Sequence, residues 1–321
     1  MNDIEETRQY LKEVYARSVS LGIEDVRVDN FRYRVCDEKI ILLDYFGEEE
    51  EKLVVPDWFD EIAGYSIDER ENEIENHEVR PALKEIVFGE RLKAVHAYAF
   101  ATMEYLRKIT APGVEIIYDF GFYCHQNIET IEMVNLREVG CHAFELCTQL
   151  RSITLDKVER IHHRGFTIAG LTSVNLPSLK DCDTEVFADN YNLTRATLPR
   201  HRIKGGAYMF MNCQSLLEVK NTEYLDLIPA GMFSHCEKLY QVNLRASFVA
   251  ISAFCRCTNL KFIRIYNELV EVDGTKLDTR TNGGIYNDRL PIATFKKLIQ
   301  REHKTIYQQH IENIKKGKLP W

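Results

Sequence analysis

Phenylalanine returns at positions 100, 122, 144, 166, 187, 210, 233 and 254, at steps of 22, 22, 22, 21, 23, 23 and 21 residues. One side chain held at one phase over that length restricts the chain to an array of like units, because self-similarity at a period of roughly 20 to 50 residues marks stacked repeats. Other positions keep the same phase. Six residues after most of these phenylalanines stand Leu106, Ile128, Leu150, Leu193, Leu216, Leu239 and Leu260, with Leu171 one residue early in the fourth unit. Three further on come Ile109, Ile131, Ile153, Val174, Ala196, Val219, Val242 and Ile263; two beyond those come Ala111, Met133, Leu155, Leu176, Leu198, Asn221, Leu244 and Ile265. A second apolar position precedes the Phe by five residues as Val95, Ile117, Val139, Ile161, Ile228 and Val249, and fails at Cys182 and Gly205.

The resulting L-x-x-I-x-L phrase alternates as a short strand with one buried face does. No single turn can bury its own apolar side, so successive turns stack with their strands in parallel. The expected fold is an α/β solenoid of the leucine-rich-repeat kind, with about eight turns of 21 to 23 residues and helical caps at both ends. The pattern I-x-x-x-A-F-x-x-C-x-x-L-x-x-I-x-L-P resembles the BspA-type leucine-rich repeat in "VGCHAFELCTQLRSITL", "IPAGMFSHCEKLYQVNL" and "VAISAFCRCTNLKFIRI". The Pro of that pattern stands in "VNLPSL" and "ATLPRH", and the likeness runs from Leu83 to Ile265. Commoner leucine-rich repeats carry an asparagine ladder; Val114, Val158 and Leu179 sit near its place here. The resemblance implies binding and adhesion roles, although fold does not settle function.

Residues 1–80 read as an amino-terminal cap. Ile4, Leu11, Val14 and Tyr15 share a helical face, Asp3 and Glu6 have capping-box spacing, and Gly22 closes the helix. "FRYRVCDEKIILLDYFGEEEEKLVV" follows as strand, hairpin and strand, and "EKLVVPDWFDEIAGYSI" reads as a degenerate first turn, with Ile67 in place of the Phe. Ten residues then enter before "LKEIVF", within the acidic stretch 68–80, which reads as a solvated bulge or a partner contact. Repeats occupy 81–270. Residues 271–321 are expected to form a helical cap from Pro291, with Ile292, Phe295, Leu298, Ile299, Ile306 and Ile314 at helical spacing.

Charge narrows the partners. The net charge is −8, yet residues 1–80 carry 23 acidic and 10 basic side chains, a local −13, while 290–321 carry seven basic and two acidic, a local +5. The middle is neutral, which disfavours a nucleic-acid face. No stretch reaches the roughly 20 apolar residues that span a bilayer, so membrane insertion is not expected. Nine cysteines and a charged amino-terminal segment suggest reduced thiols in a cytoplasm, or a cell-surface adhesin if a signal peptide has been removed.

Chemistry is sparse. Phosphate-cradling glycine phrases and H-E-x-x-H are absent, and the sole C-x-C, Cys255 with Cys257, is weak as a zinc signal. Cys147, Cys213, Cys236 and Cys257 share one repeat position, where a small buried hydrophobe explains them. Asp119, Cys141 and His163 stand three residues before successive phenylalanines and should stack in a row, an arrangement that could carry thiol catalysis or a metal. Cysteine in the middle of that order, on an outer turn, is a poor triad. No cofactor and no enzymatic activity are expected. The expected contact surface is the polar strand face, Thr110, Glu132, Thr154, Asn175, Thr197, Lys220, Asn243 and Arg264, flanked by Lys108, Thr130, Ser152, Ser173, Arg195, Glu218, Gln241 and Phe262. Tyr240, Phe262, Arg264 and Tyr266 collect aromatic and Arg side chains, the types that anchor interfaces, near its carboxyl end. The partner is expected to be a protein, with a glycan as the alternative.

Overall fold

Each L-x-x-I-x-L phrase folds as a short strand, and the strands of successive phrases pair side by side. The computed structural model describes residues 2–23, 26–47, 50–64, 83–100, 103–266, 268–271, 289–293, 295–296 and 299, and the chain divides into a unit of residues 1–171 and a unit of residues 172–321. In the first unit, Lys52–Val54, Glu85–Val87, Lys108–Thr110, Thr130–Glu132 and Ser152–Ile153 form a parallel ladder with Lys52, Glu85, Lys108, Thr130 and Ser152 in one register row. The second apolar position builds another parallel ladder, Glu61–Ile62, Ala94–Val95, Ile116–Ile117, Glu138–Val139 and Arg160–Ile161. Lys52 pairs with Glu85, 33 positions on, whereas Glu85 pairs with Lys108, 23 positions on. The difference, 33 − 23, recovers the ten-residue insertion; residues 68–80 themselves, and Ile67, lie outside the described residues.

Between the ladders runs the core. In the first unit the rings of Phe100, Phe122, Phe144 and Phe166 stack at centroid separations of 4.9, 5.1 and 4.8 Å. Phe187, Phe210, Phe233 and Phe254 of the second unit stack more loosely, at 5.8, 6.0 and 5.5 Å. All eight rings are buried. Val114, Val158 and Leu179, where an asparagine ladder would stand, are buried as well. Ile153, expected inside, is only partly buried; its strand lies at the edge of its ladder.

Two left-handed residues bracket each of several phenylalanines: Phe120 and Cys124 around Phe122, His142 and Leu146 around Phe144, Tyr208 and Asn212 around Phe210. Positive φ is uncommon outside glycine. Here it aims the backbone N–H at the next turn: Phe120 donates to the Cys141 carbonyl at 2.9 Å, Cys124 to Glu145 at 2.9 Å and Leu146 to Thr167 at 3.1 Å. Gly205, where the apolar pattern failed, has φ +80°, and a Cβ there would stand 1.7 Å from the Cys182 carbonyl oxygen. Only glycine fits so close an approach.

The cysteines at the shared repeat position are more than small hydrophobes. Cys147 donates its thiol proton to the Phe122 carbonyl at 3.1 Å, Cys213 to Phe187 at 3.1 Å, Cys236 to Phe210 at 3.1 Å and Cys257 to Phe233 at 2.9 Å, each tying its turn to the preceding Phe. Burial raises all four thiol pKa values, so the donors stay protonated. His125 takes the same position in its turn. Burial lowers its ring pKa to about 4, against a smaller opposing effect of the Phe100 and Met103 carbonyls, and neither ring nitrogen reaches hydrogen-bonding geometry with a described residue.

The amino-terminal cap is a helix, Asn2–Ser20, and a hairpin, Phe31–Cys36 with Lys39–Tyr45, turned by Asp37 and Glu38 at positive φ. Asp3 lies inside the first helical turn rather than at its cap, and Gly22, at φ +74°, closes the helix as expected. Leu11 is the buried apolar anchor. Beside it, the buried guanidinium of Arg8 donates to both Asp60 oxygens, at 2.9 and 3.1 Å, and to the Trp58 carbonyl, while Tyr33 Oη donates to the Leu11 carbonyl at 2.9 Å. After the last repeat the described residues form antiparallel strands: Glu268–Glu271 pairs with Phe262–Ile265, and Arg289–Pro291 pairs with Phe248–Ala250. Pro291 therefore ends a strand. The described residues from 292 to 299 are helical, and Phe295 packs on Phe254 at 6.2 Å. The rest of the expected cap, 300–321, lies outside the described residues.

Candidate functional site

Alternation within each strand puts one set of side chains in the core and the other on an open face. Thr110, Glu132 and Thr154 lie on that face in the first unit, and Asn175, Thr197, Lys220, Asn243 and Arg264 lie on it in the second. In the first unit the face is closed by its own charges. Lys108 Nζ lies 2.9 Å from Glu132 and 4.0 Å from Glu85, Lys52 lies 3.1 Å from Glu85, and Thr110 Oγ1 donates to Glu132 at 3.0 Å. Hydrogen bonding within this chain raises the Lys108 pKa and lowers that of Glu132.

The second unit differs. Ser173–Asn175, Arg195–Thr197 and Glu218–Lys220 form one parallel ladder, and Gln241–Leu244 with Phe262–Ile265 belongs to another. The interruption follows from Asn221, the one member of its repeat position that is not apolar. Its φ of 68° turns the chain into a short 3-10 helix, Thr222–Tyr224, and its amide donates to the Leu198 carbonyl at 2.7 Å. Buried Thr222 then gives its hydroxyl proton to the Asn243 carbonyl at 2.5 Å. In regular turns the corresponding carbonyl accepts a backbone N–H, as Glu132 does from Ala111. An open pocket of about 380 Å³ occupies the gap, lined in part by Glu218, Lys220, Asn221, Glu223, Tyr240 and Asn243. Lys220 and Glu218 approach only to 3.9 Å, with both side chains more than half exposed.

Tyr240, 47% exposed, meets Phe262 edge to face at 5.5 Å, and Tyr266 is 53% exposed at φ 54°. Among the described residues Arg195 and Arg264 form no ion pair. The sequence places Lys220 and Asn243 on the strand face and Tyr240 at its carboxyl-end corner, and all three line the gap. It gives no role to Asn221 and Glu223, although the break in the apolar pattern at Asn221 is visible in it.

Asp119, Cys141 and His163 do occupy successive turns, but Asp119 Oδ1 accepts the backbone N–H of Cys141 at 2.7 Å. The carboxylate thus caps a turn. No group of three or more His, Cys, Asp or Glu side chains among the described residues is placed to hold a metal ion. No helix among the described residues is long and apolar enough to cross a membrane.

The chain is similar to several solved leucine-rich-repeat structures. The Treponema pallidum leucine-rich repeat protein TpLRR is 20% identical over 67% of this chain and 91% of that one, with a TM-score of 0.45. A leucine-rich repeat protein from Bacteroides ovatus is 16% identical over 74% and 81%, with a TM-score of 0.41, and the pneumococcal vaccine antigen PcpA is 15% identical over 75% and 82%, with a TM-score of 0.35. No curated protein matches the sequence. Six copies of the BspA-type leucine-rich repeat region match residues 78–194 and 180–276, together more than half of the 321 residues, and the chain belongs to that family.

Proposed function

We propose that this chain is a non-enzymatic interaction scaffold that binds a protein partner through the strand face of its second unit, around Tyr240, Phe262, Arg264 and Tyr266. The observation that carries the reading is the exposed Tyr240 ring braced on Phe262, beside an Arg264 that has no ion-pair partner among the described residues. Exposed aromatic and Arg side chains are the types that dominate binding energy at protein interfaces. Asn175 and Thr197 of the same unit act as surroundings that exclude water. None of the nine cysteines is joined in a disulfide, the exposed Cys36 and Cys124 included, which fits a reducing cytoplasm, with the cell-surface adhesin as the alternative.

The test is cross-linked capture of partners from native lysate, followed by purification of the captured protein and titration with wild type and with a Tyr240→Ala, Phe262→Ala, Arg264→Ala variant. Loss of binding by the variant, with thermal unfolding within about 1 kcal/mol of wild type, is expected for a surface contact. Binding that survives the triple change overturns the assignment.

A further inference from the structure

The pocket at the interrupted ladder has a chemistry of its own. We propose that it is a glycan subsite that takes one neutral, polyhydroxylated sugar ring. At about 380 Å³ it falls within the roughly 300 to 1,000 Å³ of small-molecule clefts.

Its lining selects by elimination. Glu218, Glu223 and Lys220 put both signs of charge into one small volume, so a simple ion that pairs with one sign meets the other beside it. An apolar ligand would offer no hydrogen bond to the carboxylates, the ammonium or the amide of Asn243. A sugar hydroxyl both donates and accepts. It can therefore serve carboxylates that only accept, an ammonium that only donates, and amides that do both. Glu223 adds a second carboxylate to that lining. Tyr240 supplies the remaining element, an exposed ring held by Phe262 against which the apolar side of a pyranose can lie.

The backbone makes the site lasting. Asn221 at φ 68°, the 3-10 turn after it and the Thr222 bond to the Asn243 carbonyl hold the two strand segments apart. The gap is built into the fold.

This inference goes beyond the protein contact, and the two can fail separately. Ligand-detected NMR on the full chain would use methyl α-glucoside, methyl α-galactoside, methyl α-mannoside and N-acetylglucosamine, with glucuronate and glucosamine as charged counterparts. At least one neutral sugar is expected to bind in the millimolar range and more tightly than both charged ones. Asn243→Ala and Tyr240→Ala should each weaken it about tenfold, equivalent to about 1.4 kcal/mol. Thr110→Ala and Arg264→Ala should leave it unchanged. The proposal is overturned if none of the neutral sugars binds, if glucuronate or glucosamine binds more tightly, or if Asn243→Ala binds like wild type. Loss of protein capture in Arg264→Ala with sugar binding intact would separate the two surfaces.

Discussion

The two units build the same kind of strand face and leave it in opposite states. In the first, the parallel register brings Lys52, Glu85 and Lys108 into a row of alternating charge, and Lys108 and Thr110 both reach Glu132. Each group already has a partner. In the second, the ladder breaks after Lys220, a pocket opens, and Tyr240, Phe262 and Arg264 stand near the break without an equivalent network. A repeat can thus keep one core and still leave its strand face satisfied in one region and open in another. What decides is whether the side chains between the buried positions satisfy each other.

The comparison assumes equal cores, and the largest expected effect tests that. Phe144→Ala and Phe210→Ala should each lower stability by about 3 to 5 kcal/mol in denaturant unfolding, as fully buried phenylalanines do. The tighter ring stack of the first unit places Phe144 toward the upper end. A loss below about 1 kcal/mol at Phe210 would show that the second unit is held together differently.

The next effect belongs to the first unit alone. His125 is neutral in the folded chain because burial lowers its pKa from 6.5 to about 4. Between those values the unfolded chain binds more protons than the folded one, so stability falls as pH drops from 6.5 and levels off below 4. The span corresponds to about 3 kcal/mol. His125→Cys, which restores the thiol donor of the other turns, should remove that part of the pH dependence. An identical pH profile in variant and wild type would refute the account.

Smallest are the surface charges. Lys108→Ala should cause a small loss of stability, smaller still at high salt, because its partners are partly exposed. Lys220→Ala, whose only ion-pair partner among the described residues is 3.9 Å away in solvent, should change stability by less than about 0.5 kcal/mol. Equal losses at both positions would erase the distinction between a closed and an open face.

Most of the fold is legible in the sequence because a repeat states its phase many times over. Phe100 to Phe254, the two ladders and the ten-residue insertion all follow from counting. What is lost is whatever happens once. Arg8 clamping Asp60 joins a helix to a turn 52 positions away, and no periodicity carries it. The interrupted ladder is signalled by a single residue, Asn221, and its outcome depends on a backbone angle and on a hydroxyl proton from Thr222. The cysteines were legible as core and illegible as donors, since their acceptor is a carbonyl of another turn.

Those thiol bonds bear on how unfolding spreads. In a stack of repeats, stability is a sum of terms within turns and couplings between neighbours. Cys147, Cys213, Cys236 and Cys257 strengthen the coupling, whereas His125, at the same position, makes no hydrogen bond through either ring nitrogen among the described residues. The turn of His125 is therefore a weak link in cooperativity. Amide protons there should exchange through local openings, while those beside the thiol-coupled turns exchange only when larger blocks unfold together.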